Sequence, residues 1–235
     1  MKVKYLLLAI LTIALFSGCS QKLWVSDDYN QVKADIDTLT VVMPHIEYSE
    51  KTGETEKLLP GYSVLLSDYV GNILVEMINE GKFIPNTVAV RGDSVLLQKW
   101  VPDYFLKSLE KYEKLNKADH LFINGKNSFP VTPELRFLIN QIETRYFLFV
   151  YGEGFGASDE TKEFDLLQVQ THAILYDQAF SYDYQWNGIK LQLYIIDKNS
   201  DKILWYSTNG RKNNGYNPLR DKEIRDLCEN LLKQR

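Results

Sequence analysis

Short apolar runs alternate with polar breaks along the chain, and the spacing inside each run predicts its element. An apolar run from Tyr5 to Phe16, broken only by Thr12, follows Lys2 and Lys4. "LTVVMPHIEY" (39–48) is rich in β-branched and apolar residues and predicts the first strand, doubtful past Pro44, which cannot donate to a ladder. "EKTGETEK" (50–57) is polar throughout and predicts a solvated loop. Tyr62, Leu65, Leu66, Tyr69, Val70, Ile73, Leu74, Met77 and Ile78 recur at steps of three and four, the signature of a long amphipathic helix, with Gly81 as its stop. "NTVAV" (86–90) predicts a short strand.

Asp93 or Ser94 is placed to cap a short helix, and Pro102 suits the first turn of "PDYFLKSLEKYEKL". "HLFIN" (120–124) suits a strand or an extended link. "TPELRFLINQIET" (132–144) predicts a helix with Thr132 as N-cap and Pro133 in its first turn. Beyond it the pattern changes. "YFLFVYGEGF" (146–155) predicts a buried strand, and "LLQVQTHAILYDQAF" (166–180) is strand-like. "IKLQLYIID" (189–197) and "KILWYS" (202–207) flank the polar turn "KNSD" as a hairpin. Alternation places Leu191, Leu193 and Ile195 on one face and Gln192 and Tyr194 on the other, with Ile203 and Trp205 sharing a face of the return strand. A last helix is expected over 219–234.

Strand and helix alternate first, and consecutive strands follow. That order predicts an α/β fold: a single mixed β-sheet covered by helices, over residues 38–235. Residues 19–37 are polar and mixed, and predict a short tether.

The opening run has a basic start, an apolar middle and a small-residue end at Ser17 and Gly18, the layout of a secretory signal over residues 1–18. It is too short for the ~20 residues that a spanning helix needs. Phe16-Ser17-Gly18-Cys19 resembles a bacterial lipobox, which implies that Cys19 is acylated and heads the mature chain. Several acyl chains, at ~0.8 kcal/mol per buried methylene, hold a protein stably on a membrane where one is marginal. Ser20 stands where an aspartate would signal inner-membrane retention, so the resemblance implies the outer membrane, with the domain facing the periplasm.

Composition narrows the partners. Lys and Arg number 27 against 31 Asp and Glu, and removal of Lys2 and Lys4 makes the mature chain more acidic still. An acidic chain without a basic cluster argues against nucleic acid and against docking on anionic lipid through charge. Cys228 is the one cysteine besides Cys19, so no internal disulfide is expected. Its neighbours Ile224, Leu227, Leu231 and Leu232 mark a buried structural thiol rather than a nucleophile.

Candidate chemistry is sparse. "GEGFG" (152–156) follows a strand, but Glu153 would repel phosphate and no helix is expected after it, so it reads as a strand end leading to a loop. His45, His120 and His172 are far apart, and none has a second ligand nearby in sequence, which disfavours zinc. No G-x-S-x-G turn is present, and Asp27-Asp28 falls in the tether. Nothing calls for a catalytic residue, metal or cofactor. "FSYDYQW" (180–186) stands out: Phe180, Tyr182, Tyr184 and Trp186 alternate with polar residues and would share one side of a strand. They form either a row packed beneath a helix or an aromatic surface for a protein or glycan partner, since Tyr and Trp are enriched at interfaces.

"TRYFLFVYGEGF" and "LQLYIIDKNSDKILWYSTNGR", with the strand ending at Asp197, the turn Lys198 to Asp201 and the returning Ile203-Leu204-Trp205, resemble periplasmic assembly lipoproteins. The early strand and the long helix ending "EMINEGKFI" fit the same outline. That group includes the curli-secretion lipoprotein CsgG, the penicillin-binding-protein activator LpoB and the amino-terminal domain of TolB. The resemblance implies an outer-membrane lipoprotein whose periplasmic domain binds envelope proteins or assists envelope assembly, without catalysis. No long membrane hairpins are found, so pore formation is not carried over. The other expectations are a periplasmic enzyme acting on envelope polymer and a purely structural lipoprotein.

Overall fold

The computed structural model describes residues 22–92, Tyr104, Lys107, and residues 132–176, 186–213 and 220–233. The expected signal segment, Cys19, the short helix expected after Asp93, "HLFIN", and Phe180, Tyr182 and Tyr184 lie outside them. Of the helix expected after Pro102, Tyr104 and Lys107 are described, and both are helical.

Eight strands form one mixed sheet: β1 (Lys22–Val25), β2 (Thr38–Val42), β3 (His45–Thr52), β4 (Thr55–Leu58), β5 (Val88–Gly92), β6 (Tyr146–Ala157), β7 (Asn187–Asp197) and β8 (Lys202–Asn213). Their order is β1-β8-β7-β6-β2-β5, with β3 and β4 branching from β6. The helices are α1 (Asp27–Val32), α2 (Pro60–Asn79), α3 (Pro133–Ile139), α4 (Asp159–Tyr176) and α5 (Asp221–Leu232). The expected α/β class and single mixed sheet hold.

β6 organises the sheet. Its first residues pair in parallel with β2, its later ones in parallel with β3, and its whole length antiparallel with β7. The break between β2 and β3 falls at Met43-Pro44, where proline has no N–H to give to a ladder. We name the sheet's two ends by β6 and β7: the turn end, beside residues 198–201, and the glycine end, beside Gly152, Gly154, Gly156 and Gly188.

One face carries the main core. Leu66, Val70, Ile73, Leu74, Met77 and Ile78 of α2, and Leu227, Cys228, Leu231 and Leu232 of α5, pack with Leu148, Val150, Leu191, Leu193, Ile195 and Trp205. α2 ends as expected: Gly81 has φ 73°, the Gly81 amide donates to the Ile78 carbonyl, and the Lys82 amide donates to Met77, a Schellman closure. α2 also shields exposed strand edges. Ser67 and Ser63 hydroxyls accept from the Ile46 and Tyr48 amides at 3.0 and 2.9 Å, and the Asn79 side chain bonds both the N–H and the C=O of Ala89.

The other face is packed at the turn end. There Leu135 and Ile139 of α3 cover Phe147, Phe149, Tyr194, Ile196, Ile203 and Tyr206. The α3 cap is Thr132, whose hydroxyl accepts from the Leu135 amide at 3.3 Å, but the helix ends at Ile139, short of the expected Thr144. The β7–β8 turn is clamped to the strand beside it. Arg145 donates twice to Asp197, at 3.0 and 2.8 Å, and Asp197 also accepts from the Asn199 amide and the Ser200 hydroxyl. Burial raises the Asp197 carboxyl, but these donors, Arg145 foremost, outweigh it and hold the carboxyl below the ordinary range.

Several expectations are corrected. The tether over 19–37 does not extend past residue 21. β1 pairs with β8, Ser26 caps α1, and Tyr29 is buried in the core. Leu23 and Val25 pack on one face and Trp24 on the other, so a four-residue strand lay inside a polar-looking stretch. Asp28 is correspondingly part of the fold, paired to Lys202 at 2.7 Å. Residues 50–57 form the β3–β4 hairpin rather than a loop, turned at Gly53 with φ 59°. The strand-like stretch 166–180 is helical through Tyr176. Ile203 and Trp205 lie on opposite faces, because a β-bulge between the pairs Ile195↔Trp205 and Ile196↔Ile203 inserts Leu204. The hairpin itself, with Leu191, Leu193 and Ile195 facing the main core and Tyr194 the other side, is as expected.

Candidate functional site

At the glycine end the second face lies beyond the cluster that packs under α3, and the side chains change character. Alternation along β6 puts Gly152, Gly154 and Gly156 toward the main core and Glu153 and Phe155 toward the open face. The glycines are required by close approach. A Cβ on Gly154 would stand 2.7 Å from the Tyr48 ring, and one on Gly156 would stand 2.6 Å from the Tyr48 hydroxyl. Across the sheet, a Cβ on Gly188 would meet the Phe155 ring at 2.6 Å. Phe155 therefore lies flat over Gly188.

Beside that ring is an open cleft of about 340 Å³, lined by Lys51, Glu56, Glu153, Gly154, Phe155, Gly188, Ile189, Lys190, Arg211 and Lys212. Five strands contribute: β3, β4, β6, β7 and β8. Lys51 Nζ stands 4.1 Å from the centroid of the Phe155 ring, a cation–π contact. Glu153 pairs across the strands with Lys190 and accepts from Tyr151 Oη at 2.9 Å. Burial, then that bond to Glu153, raises the Tyr151 phenol, so it remains a donor. Ser49 donates to the Glu56 carboxylate. By register Lys51, Lys190, Lys212, Glu56 and Glu153 share the face of Phe155, whereas Arg211, opposite Ile189, borders the cleft from the other face of the sheet. Mixed charge of this kind sets orientation and discriminates partners more than it adds affinity. The volume is at the small end for ligand pockets, which usually enclose most of their ligand; an open cleft of this size admits a side chain or a short loop.

"GEGFG" is neither loop nor phosphate cradle. It continues β6, and its backbone is paired on both sides, with β3 and β7. A helix does follow, contrary to expectation. Ser158 caps α4 by accepting from the Thr161 amide at 3.2 Å, and Asp159 and Glu160 fill its first turn, a charge that suits the helix N-terminus but repels an anion.

The other sequence candidates scatter. Trp186 is 8% exposed, and its indole N–H donates to Asp165 at 2.9 Å; it is packed under α4 rather than presented to a partner. His45 stacks on Tyr151 at 6.1 Å and lies 3.5 Å from Glu47. His172 falls on α4, and His120 lies outside the described residues. Among the described residues no group of three His, Cys, Asp or Glu is placed to hold a metal ion. Cys228 is fully buried, and burial pushes its thiol up to about 12, which suits a structural side chain. Among the described residues no helix is long and apolar enough to cross a membrane.

Sequence reasoning missed the cleft. Its one visible trace was the strict alternation Gly-Glu-Gly-Phe-Gly, a period of two that marks a strand with a bare face.

No family model and no curated protein sequence matches the chain. Among solved structures, the PelC dodecamer from Paraburkholderia phytofirmans is similar at 11% identity with a TM-score of 0.38, covering 91% of this chain and 94% of that one. The LpoB C-terminal domain from Salmonella enterica is similar at 9% identity with a TM-score of 0.28, covering 78% and 91%. At these values the likeness is one of outline. Of the resemblances drawn from sequence, LpoB reappears in this outline, and those to CsgG and TolB gain no support from it.

Proposed function

We propose that the chain is an outer-membrane lipoprotein, anchored through acyl chains on Cys19, whose periplasmic domain is a non-catalytic module that binds an envelope protein. The cleft at the glycine end is its contact surface. The observation that supports this most is the cleft's make-up: Phe155 with Lys51, Lys190, Lys212, Glu56 and Glu153 on its own face, on strands whose backbone is locked by pairing on both sides of β6 and β7. An aromatic centre with a charged rim is the composition of a protein interface, and a rigid support lowers the ordering cost of binding.

A photo-crosslinking residue at position 190, used in intact cells, tests the proposal. A discrete adduct with an envelope protein is expected, with none from the exposed control position 222 on α5. The Cys19→Ser variant should be recovered soluble and without the adduct. Identical labelling from positions 190 and 222 would remove the contact surface, and a Cys19→Ser protein that still pellets with membranes after a high-salt wash would remove the anchor.

A further inference from the structure

β1 begins at Lys22, so residues 19–21 alone separate Cys19 from the sheet. At ~3.3–3.6 Å per residue they reach at most ~10 Å. β1 runs antiparallel to β8 with Lys22 opposite Thr208, so the chain approaches the sheet from the glycine end. Past Thr208, β8 continues to Asn213, a further ~17 Å at ~3.4 Å per residue. The leash is shorter than the strand it leaves behind. A domain held at Cys19 therefore cannot stand clear of the bilayer.

The part of the sheet that overreaches the leash is basic. Lys190, Arg211 and Lys212 lie there, and neither residues 187–192 nor 208–213 contain an Asp or Glu. Lys190 and Lys212 are exposed and Arg211 partly so. The carboxylates at this end are Glu153, opposite Lys190, Glu56 across the cleft, and Asp159 and Glu160 in the first turn of α4; the last two follow the end of β6, two strands farther from β1 than β8 is. The net charge of the whole chain is −4, so the cationic ends of β7 and β8 run against the average.

We infer that the glycine end of β7 and β8, through Lys190, Arg211 and Lys212, docks on the phospholipid headgroup surface that holds the anchor. This rests on the acylation of Cys19 proposed above. Cations next to a lipid anchor act as a second membrane signal, and within about one Debye length, ~8–10 Å, their attraction to anionic headgroups is little screened. The cleft then opens at the lipid surface, and a protein partner must be met there.

The test uses the full-length acylated protein in phosphatidylcholine vesicles, with and without phosphatidylglycerol, carrying brominated acyl chains. A fluorophore is introduced by Lys212→Cys at the glycine end or by Ser200→Cys in the β7–β8 turn; Cys228 is buried and stays unlabelled. The two ends of β7 are ~34 Å apart at ~3.4 Å per residue. Quenching several-fold stronger at position 212 than at 200 is expected, with the difference shrinking when about ten Gly/Ser residues, reaching ~33 Å, are inserted after Ser20. Lys190→Glu with Arg211→Glu should weaken quenching at 212 in the phosphatidylglycerol vesicles and leave it unchanged in pure phosphatidylcholine. Equal quenching at both positions in protein whose mass shows acylated Cys19 overturns the docking and leaves the anchor standing. An equal response of the charge variant on both vesicles overturns the headgroup contact. A mature protein without acyl mass on Cys19 overturns docking and anchor together.

Discussion

The turn end and the glycine end of β6, β7 and β8 share one continuous ladder yet present opposite surfaces. At the turn end both faces are buried: Phe147, Phe149, Tyr194 and Tyr206 lie under α3, and Leu148, Val150, Ile195 and Trp205 lie in the main core. At the glycine end one face keeps its packing through Tyr48 laid over Gly154 and Gly156, while the other opens into the charged cleft. The backbone pairing of β6 with β7 runs unbroken through both regions. Position is therefore fixed by the ladder, and the side chains alone decide whether a region is core or contact surface. The packed end supplies stability, and the open end inherits its rigidity.

Three measurements press on this contrast. Phe149→Ala, at a fully buried position of the turn end, should cost ~3–5 kcal/mol in urea unfolding; a loss no larger than that of an ordinary surface substitution would mean that the turn end is not the stabilising half. Gly154→Val should cost ~1–3 kcal/mol by overpacking against Tyr48, even though valine ordinarily favours a strand. If it stabilised the protein instead, the close ring-on-glycine approach would be wrong. The smallest effect concerns acid. Because the Asp197 carboxyl lies below its unfolded value, its contribution is present above the ordinary carboxylate range and is lost as pH falls through the lowered folded value, below about pH 4. Thermal melts on the acid side should fall more steeply for the wild type than for Asp197→Asn. Parallel curves would show that the clamp at the turn adds no pH dependence.

Much of the turn end was legible in the sequence. Long periodic runs identified α2, β6 and the β7–β8 hairpin, because one buried face forces a repeat that survives in any context. Short elements were not legible. "KLWV" (22–25) offers only four residues of alternation, and its pairing with β8 is a long-range choice. In α4, exposed Phe164, Leu166 and Leu167 masked the amphipathic rhythm, though Ser158 followed by Asp159 and Glu160 was a helix-start signal. The cleft could not be assembled beforehand. Its residues come from five strands, and their meeting depends on register, including a branch at Pro44 that lets β2 and β3 share one neighbour.

That shared neighbour sets an order of events when the chain folds. β7 and β8 are joined by a four-residue turn, whereas Leu39 meets Tyr146 only after roughly a hundred intervening residues have closed into a loop. Closure entropy grows as ~(3/2)RT ln n, so the second event is disfavoured relative to the first by ~3 kcal/mol. On closure entropy alone the hairpin is the earlier contact, and the joining of β2 to β6 is the later one. Until then β6 has an open edge along its Phe- and Val-rich half, the stretch of this chain most at risk of pairing with a second molecule before its own partner arrives.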